Sequence, residues 1–491
     1  MGPLEGFDAA LDAALRPLAD GLAAVVFFSV PVAGADVPLV VVWLVTAAIW
    51  FTVSFRFVNL RGFRHAIDLV LGRVESHEST DSRHEAGEVS HFQALATAVS
   101  GTVGIGNIGG VAVAISLGGP GAAFWLVVAG VLGMSTKFVE CSLGVIYRTE
   151  APDGRVSGGP MYYLEKGLRE RGLPRLGRVL GLFYAGGIVI GCLGIGNMFQ
   201  SNQAFVQIVG VTGGEASWLA DKGWLVGAVL AVVVGLVILG GIRWIAAVTS
   251  RLVPFMAVLY LAGTGIVLFL NRTVLDDALV EMVGQAFTGP AATGGFLGAM
   301  IIGFQRAVFS NEAGIGSATI AHAAVRTREP MTEGFVSLLE PFIDTVVICF
   351  ATALVIVTTG ILAPGFHEGL GGVEMTSKAF ERALPWSPLP LALAATLFAL
   401  STMISWAYYG LKGWTYLLGE GPRVEAAFKL IFCLFVALGC TLRLDAVLDF
   451  SDAMVFVICV PNILGLYLLA PVVRRELASY QSRLDSRRGR V

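Results

Sequence analysis

Eleven apolar stretches of helical length run through almost the whole of the 491-residue chain. A transmembrane helix needs about 20 consecutive apolar residues, so eleven such helices would take up roughly half of this sequence. Charged residues make up only 14% of the chain, whereas a soluble domain usually has about 25%. This excludes a cytosolic enzyme, a disordered chain and a basic nucleic-acid-binding protein. We therefore predict an all-α, polytopic membrane protein with these spans: 37–55 (A), 92–117 (B), 120–147 (C), 179–209 (D), 224–242 (E), 244–270 (F), 294–321 (G), 335–360 (H), 389–418 (I), 425–441 (J) and 451–473 (K).

Basic residues are concentrated in alternate loops between these spans. The A–B loop, the C–D loop and the tail after span K hold most of them, and eleven spans place all three on one side. Since cytoplasmic loops carry an excess of Lys and Arg, we expect the N-terminus outside and the C-terminus in the cytoplasm of a bacterial or archaeal cell membrane. Residues 1–36 start with too many acidic side chains for a signal peptide, and we predict an amphipathic segment at the outer face.

Spans B and G share a motif that suggests an internal repeat. Span B contains Phe-Gln-Ala followed by Gly-Ile-Gly-Asn, and span G contains Phe-Gln-Arg-Ala followed by Gly-Ile-Gly-Ser. Five spans separate the two starts, so B and G run in opposite directions, as in the inverted repeats of secondary transporters. The alternative is chance similarity between two glycine-rich helices. The predicted units are 1–91 (amphipathic segment, extra helix and loop), 92–270 and 294–473 (the two five-helix repeats), and 474–491 (basic tail).

Glycines interrupt both B and G near their middles. In span B, three glycines lie within residues 101–106 and are followed by Asn107. A broken backbone at membrane depth is tolerated only beside protein or a wet cavity. The freed amides favour an anionic group such as a carboxylate, and the freed carbonyls suit a hard cation such as sodium. The alternative is close packing of a small-residue helix against its neighbour.

Several polar side chains lie in otherwise apolar spans, where a lone charge costs at least about 2.5 kcal/mol. Glu312 and Arg306 in span G either serve a site or pair with each other, and Glu140 in span C either serves a site or pairs with Lys137. The hydroxyls of Ser401 and Thr402 in span I either complete a sodium shell or bond to their own helix. The amides of span D, including Gln200, are typical of interhelical hydrogen bonding. Glu340 and Asp344 are most simply a solvated helix start, with a proton site as the alternative.

Three motifs together resemble the alanine or glycine:cation symporter family of bacteria and archaea. They are SGTVGIGNIGGVAVAISLGGPGAAFW (Ser100 to Trp125), FSNEAGIGSA (Phe309 to Ala318) and SWAYYG (Ser405 to Gly410). The resemblance covers nearly the whole chain. It implies the inverted-repeat fold of the bacterial leucine transporter with one extra leading helix, broken first and sixth core helices, and import of alanine or glycine with sodium.

The resemblance also implies roles for individual residues. The substrate would be held by the backbone at Ile105 and Gly106, covered by Phe309 and lined by Gln200 and Trp406, while Thr102, Asn107 and Asn311 complete the predicted substrate site. The main sodium site would consist of Ser100, Val103, Ser401 and Thr402. A second cation position would involve Thr102, Asn107 and Ser310. Arg306 would lie at the gate, with Glu140 and Glu312 at the gate or bracing a broken helix. Ile105 departs from many members, which have Thr there, so the preferred amino acid stays open.

Two other functions remain as alternatives to sodium symport. Proton coupling through Glu312 or Glu140 would use the same fold, and a channel would conduct without saturation. No matched nucleophile and base appear in the sequence, and no HExxH, Walker or zinc-ligand motif is present. We therefore predict a non-enzymatic protein with no cofactor, whose partners are sodium, a small amino acid and the lipid bilayer but not nucleic acid.

Overall fold

The computed structural model is mostly helical, and its helices follow the apolar stretches of the sequence. Every one of the eleven predicted spans coincides with a helix or with helical segments in series. Six described helices are long and apolar enough to cross a membrane, or seven if the bent pair in span B is one span. The count of eleven therefore stays a prediction. The structure describes residues 16–17, 20–32, 35–73, 87–152, 154–288, 295–363, 370, 372–441 and 445–488.

The first half of the chain contains the helices that correspond to spans A to F, and three further helices (α2, α3 and α7) in the loops between those spans. Pro120 and Pro174 each begin a helix, since a proline at the first helical position has no amide proton to leave unpaired. Ser90 caps the helix of the first half of span B, and its hydroxyl accepts a hydrogen bond from the Gln93 amide at 3.3 Å. The helices are α1 (Leu39–Ser54), α2 (Val58–Arg61), α3 (Phe63–Val70), α4 (His91–Thr102), α5 (Gly109–Gly118), α6 (Pro120–Ile146), α7 (Pro160–Glu170), α8 (Pro174–Leu193), α9 (Phe199–Val211), α10 (Gly223–Ile238) and α11 (Gly241–Leu270).

The second half contains the helices of spans G to K and two helices between spans that the sequence analysis did not predict. Those two are α12 and α18. The helices are α12 (Leu275–Thr288), α13 (Gly295–Asn311), α14 (Ala318–His322), α15 (Pro330–Val336), α16 (Leu339–Pro341), α17 (Phe350–Thr358), α18 (Gly372–Ala383), α19 (Pro388–Leu418), α20 (Pro422–Gly439) and α21 (Asp445–Arg488). A π-helical segment, Phe342–Cys349, joins α16 to α17.

Two short hairpins interrupt the helical pattern. Strands β1 (Ser29–Val32) and β2 (Ala35–Pro38) pair in antiparallel fashion just before α1, and β3 (Thr149–Glu150) pairs with β4 (Val156–Ser157) after α6. The first hairpin lies in the segment predicted to be amphipathic, and residues 1–15 of that segment lie outside the described residues. The prediction missed the hairpin because the apolar run before it gave no alternation of polar and apolar residues, which is the sequence signal of a strand.

Both glycine-interrupted helices are broken, as their sequences indicate. In span B, the axes on either side of the break differ by 62°, and a short 3-10 turn, Ile105–Asn107, lies between α4 and α5. We call residues 103–108 the first break. In span G, residues 312–317 separate α13 from α14, and we call them the second break. Glu312, Gly314 and Gly316 have φ angles of 57°, 98° and 83° there, which ordinary side chains rarely adopt.

Span D contains a π-helical segment, Gly194–Met198, between α8 and α9. Such segments often occur at functional sites because the extra residue re-aims neighbouring side chains. Gly196 lies within it, and a β-carbon there would be only 2.1 Å from Cγ of Trp406. The widened turn and the glycine together let the indole of α19 approach the backbone of span D.

Candidate functional site

Trp406 joins the two breaks. Its side chain is fully buried, and its Nε1 donates to the Gly101 carbonyl oxygen at 3.3 Å and to Oε1 of Glu312 at 3.1 Å. Gly101 lies in the last turn of α4 beside the first break, and Glu312 begins the second. The two interruptions predicted from separate stretches of sequence therefore lie on either side of one indole ring.

The first break presents backbone amides to acceptor side chains. The Gly104 amide donates to Oδ1 of Asn107 at 2.8 Å, which closes a small turn within the break. The Ile105 amide donates to Oε1 of Gln200 at 3.3 Å. The Gln200 side chain in turn donates to the Ile195 carbonyl oxygen at 3.2 Å, in the π-helical segment. An amide that already points at a neutral acceptor would donate more strongly to a carboxylate.

Four oxygen atoms come together where the first break meets α19. The Ser100 carbonyl oxygen lies 3.1 Å from Oγ1 of Thr402 and 3.4 Å from Oγ of Ser401. The Val103 carbonyl oxygen lies 3.5 Å from the same Thr402 hydroxyl. We call these four atoms the oxygen cage. Hard cations take oxygen ligands at about 2.4 Å, and ligands at that distance in right-angled positions lie about 3.4 Å apart.

The oxygen cage contains neutral oxygen atoms only. Its two carbonyl groups and two hydroxyl groups are ligands that suit a hard cation and not a soft transition metal. Within the described ranges, no group of three or more His, Cys, Asp or Glu side chains is arranged to hold a metal ion. The hydroxyls are not free of other contacts, since Oγ of Ser401 also donates to the Phe398 carbonyl oxygen at 2.9 Å.

A buried carboxylate, Asp344, lies between the first break and α13. Its Oδ1 accepts a hydrogen bond from Nδ2 of Asn107 at 2.6 Å, and its Oδ2 accepts from Oγ of Ser310 at 2.8 Å and from Oγ1 of Thr345 at 2.7 Å. The structure therefore brings Asn107 and Ser310 together through Asp344, which the sequence offered only as an alternative proton site. Thr102 bonds within its own helix, 3.3 Å from the Val99 carbonyl oxygen.

Phe309 lies against the first break from the side of α13. A β-carbon on Gly106 would lie 3.6 Å from the Phe309 ring, and this ring meets Phe199 edge-on with centroids 5.9 Å apart. The Arg306 guanidinium lies 5.9 Å from the Phe309 ring centroid, one turn away on the same helix. Asn311 donates to Oγ1 of Thr345 at 3.0 Å.

The second break is held by side chains from two other helices. Oε1 of Glu140 accepts from the Gly314 amide at 3.0 Å and from Nδ2 of Asn462 at 2.7 Å. The same Asn462 nitrogen donates to the Gly314 carbonyl oxygen at 2.8 Å. The backbone amide and the carbonyl of Gly314 are thus both hydrogen-bonded, although Gly314 lies in no helix. Asn462, in α21, was missed because a lone amide in an apolar span is usually an interhelical contact.

One of the two alternatives for Glu140, and the expectation for Glu340 and Asp344, were wrong. Lys137 forms its ion pair with Glu340, at 2.9 Å, and not with Glu140. Glu340 and Asp344 are fully buried and not a solvated helix start, because the helical segment already begins at Pro330. The sequence signal that could have indicated their burial is the position of these two carboxylates, one turn apart inside the apolar span H.

Comparisons with known proteins identify the family of this chain. A model of the sodium:alanine symporter family matches residues 25–490. The chain belongs to the sodium:alanine symporter family. It is a multi-pass membrane transporter and not an enzyme.

The family contains relatives with different named substrates. The chain is 38% identical to the sodium/alanine symporter AgcS of Methanococcus maripaludis, over 90% of this chain and 94% of that protein. It is 32% identical to the probable sodium/glutamine symporter GlnT of Bacillus subtilis, over 90% of this chain and 87% of that protein. The structure of MhsT in complex with L-phenylalanine matches with a TM-score of 0.57 and 14% identity, over 78% of this chain and 89% of MhsT. This last match shows a shared leucine-transporter-like fold.

Proposed function

We propose that this protein imports a small neutral amino acid, alanine or glycine, together with sodium by alternating access. The observation that carries the proposal is the oxygen cage, which two stretches about 300 residues apart in sequence build directly beside the amides of the first break. A cation in the cage would hold the first break in its bent shape. The same bend exposes the amides that would bind the substrate carboxylate.

Coupling follows from this shared dependence on one backbone conformation. If sodium favours the bent form of residues 103–108, and the substrate carboxylate binds the same form, each ligand raises the affinity for the other. Transport would then occur as spans B, C, G and H rock as a bundle against the other spans. A potential of 100 mV contributes about 2.3 kcal/mol of inward drive for each sodium charge.

The proposed substrate is small because large side chains already fill the space around the first break. Trp406 is fully buried against Gly196, and the rings of Phe309 and Phe199 close another side. The substrate-contacting residues in this proposal are Thr102, Ile105, Gly106, Asn107, Gln200, Phe309, Asn311 and Trp406. Arg306 would act at the gate, beside Phe309.

A second cation position is proposed at Asp344. Three donors, Asn107, Ser310 and Thr345, surround this buried carboxylate, but a charge at membrane depth is costly without a compensating cation. Either sodium or a proton would supply that charge. Asp344 is therefore a further candidate for proton coupling beside Glu140 and Glu312, both of which also accept hydrogen bonds at the second break or beside it.

Transport in proteoliposomes tests the main sodium site. The double variant S401A/T402A removes two of the four cage oxygens and should raise the sodium concentration needed for half-maximal alanine uptake by at least tenfold. The matched control is Thr396→Ala, because among the described residues its hydroxyl bonds to the Ala392 carbonyl oxygen of the same helix, at 2.8 Å, and to no other helix. The control should leave the sodium dependence unchanged.

Three outcomes would contradict the proposal. Uptake by S401A/T402A with the sodium dependence of the unaltered protein would remove the cage as the sodium site. Uptake driven by a pH gradient without sodium would replace sodium coupling with proton coupling. Ohmic current that does not saturate with amino acid would indicate a channel.

A further inference from the structure

Two adjoining cavities form a groove at the end of α1, far along the chain from the candidate site. They have volumes of about 490 Å³ and 350 Å³. Both are lined by residues from the turn after α1, from α2 and from α21, and they share Phe55, Arg56, Arg61, Leu477 and Gln481. We call this the arginine groove. Since α1 and α21 coincide with predicted spans A and K, the groove lies where both of these predicted spans end.

The arginine groove is strongly basic. Arg56, Arg61 and Arg474 line it, while Asp485 is the single carboxylate among its described lining residues. Arg474 is held in place, because it donates to Oγ of Ser54 at 2.6 Å and lies over the Trp50 ring at 5.4 Å. Arg56 and Arg61 are exposed, and neither forms an ion pair with any residue that the structure describes.

The backbone at the groove is in an unfavourable conformation. Among the described residues other than glycine, only Arg56, Phe57 and Glu312 have positive φ angles, of 54°, 57° and 57°. Glu312 begins the second break, within the candidate transport site. Left-handed backbone in side-chain-bearing residues concentrates at functional sites, where surrounding structure maintains it. Two such residues in succession at the end of α1 therefore point to a second functional site.

Apolar side chains next to the groove face outward. Phe57 is 50% exposed and Leu60 is 64% exposed, although both lie in the same turn and short helix as Arg56 and Arg61. A segment with basic residues and exposed large apolar residues is typical of the interface between headgroups and acyl chains. The groove thus combines an anion-binding surface with an adjoining surface suited to hydrocarbon.

We propose that the arginine groove binds the phosphate headgroup of one anionic phospholipid. Arg56 and Arg61 contact the phosphate, Arg474 supplies a fixed positive charge behind it, and the acyl chains lie along Phe57 and Leu60. Basic pockets between membrane helices bind anionic headgroups in this way. A free phosphate ion would use the same arginines, but it would gain nothing from the exposed apolar residues. The bound lipid would hold α1, which lies outside the predicted repeats, against α21.

Native mass spectrometry of the full-length protein tests this proposal, with phosphatidylglycerol and phosphatidylcholine as probes. We expect one tightly retained phosphatidylglycerol and no comparable retention of phosphatidylcholine. The double variant R56Q/R61Q should weaken phosphatidylglycerol binding about 30-fold, since each arginine near an anionic surface contributes about fivefold. The control R64Q/R175Q changes the net charge equally at two exposed arginines that do not line the groove, and it should bind as before.

A third variant, Arg56→Gly, separates lipid binding from folding. Glycine adopts positive φ without strain, so this variant should keep or raise the melting temperature while binding phosphatidylglycerol about fivefold more weakly. Unchanged lipid affinity in R56G or R56Q/R61Q, or equal retention of both lipids, would overturn the proposal. Displacement of phosphatidylglycerol by millimolar inorganic phosphate would also overturn it, in favour of a free-anion site. None of these measurements depends on transport, so a negative result here would leave the proposed transport function untouched.

Discussion

Replacement of Glu140 by alanine should strongly weaken substrate binding, although Glu140 is not one of the proposed substrate-contacting residues. Glu140 lies in α6 and is fully buried, and its Oε1 accepts hydrogen bonds from the Gly314 amide and from Asn462. A hydrogen bond to a charged group contributes about 1.5–3 kcal/mol, so the two together contribute roughly 3–6 kcal/mol. In Glu140→Ala the Gly314 amide is left buried with no acceptor.

The loss of these hydrogen bonds should mainly destabilise the backbone conformation of the second break. Gly314 has a φ angle of 98° and lies in no helix, so its conformation depends on the side chains that bind it. About 3 kcal/mol corresponds to roughly a hundredfold change in an equilibrium constant. We therefore expect the KM for alanine uptake in proteoliposomes to rise by about a hundredfold. Glu140→Gln should have an intermediate effect, because its carbonyl oxygen accepts the same bonds without the charge.

The matched control is Ser142→Ala on the same helix. Ser142 is also fully buried, but its hydroxyl donates to the Phe138 carbonyl oxygen of its own helix at 2.7 Å. The control should keep its KM near that of the unaltered protein. A normal KM for alanine in a well-folded Glu140→Ala variant would refute the view that this carboxylate maintains the second break.

Two further predictions concern the π-helical segment and the second cation position. Gly196→Ala should abolish uptake and lower the melting temperature, because its β-carbon would lie 2.1 Å from Cγ of Trp406. The control is Gly186→Ala, where nothing lies within 4 Å of the added carbon. Equal uptake and equal melting temperatures for the two variants would contradict the close approach of Trp406 to Gly196. Asp344→Asn removes the charge between Asn107 and Ser310. Uptake of labelled alanine by this variant should therefore show a lower Hill coefficient for sodium or a weaker response to external pH. If neither quantity changed, the carboxylate would bind no coupling ion.

The positions of most helices could be predicted from the sequence because the signal for them is local. Twenty apolar residues in succession form a helix in lipid whatever their neighbours are, and closely spaced glycines weaken a helix at that point. The predicted breaks near Gly104 and Gly314 and the helical character of all eleven spans follow from such local effects. The fold class and the family motifs also depend on adjacent residues only.

The partners that buried polar side chains find on other helices were decided by the tertiary structure alone. Glu140 and Asn462 are 322 positions apart, and Asn107 and Asp344 are 237 apart. A hydrogen bond requires two atoms to lie within about 3 Å of each other. For residues on different helices that distance depends on how the helices pack, and the spacing of residues along one helix gives no information about it. The same reason explains why the sequence offered only the helical neighbour Glu140 as a possible partner for Lys137, whereas in the folded protein Lys137 pairs with Glu340.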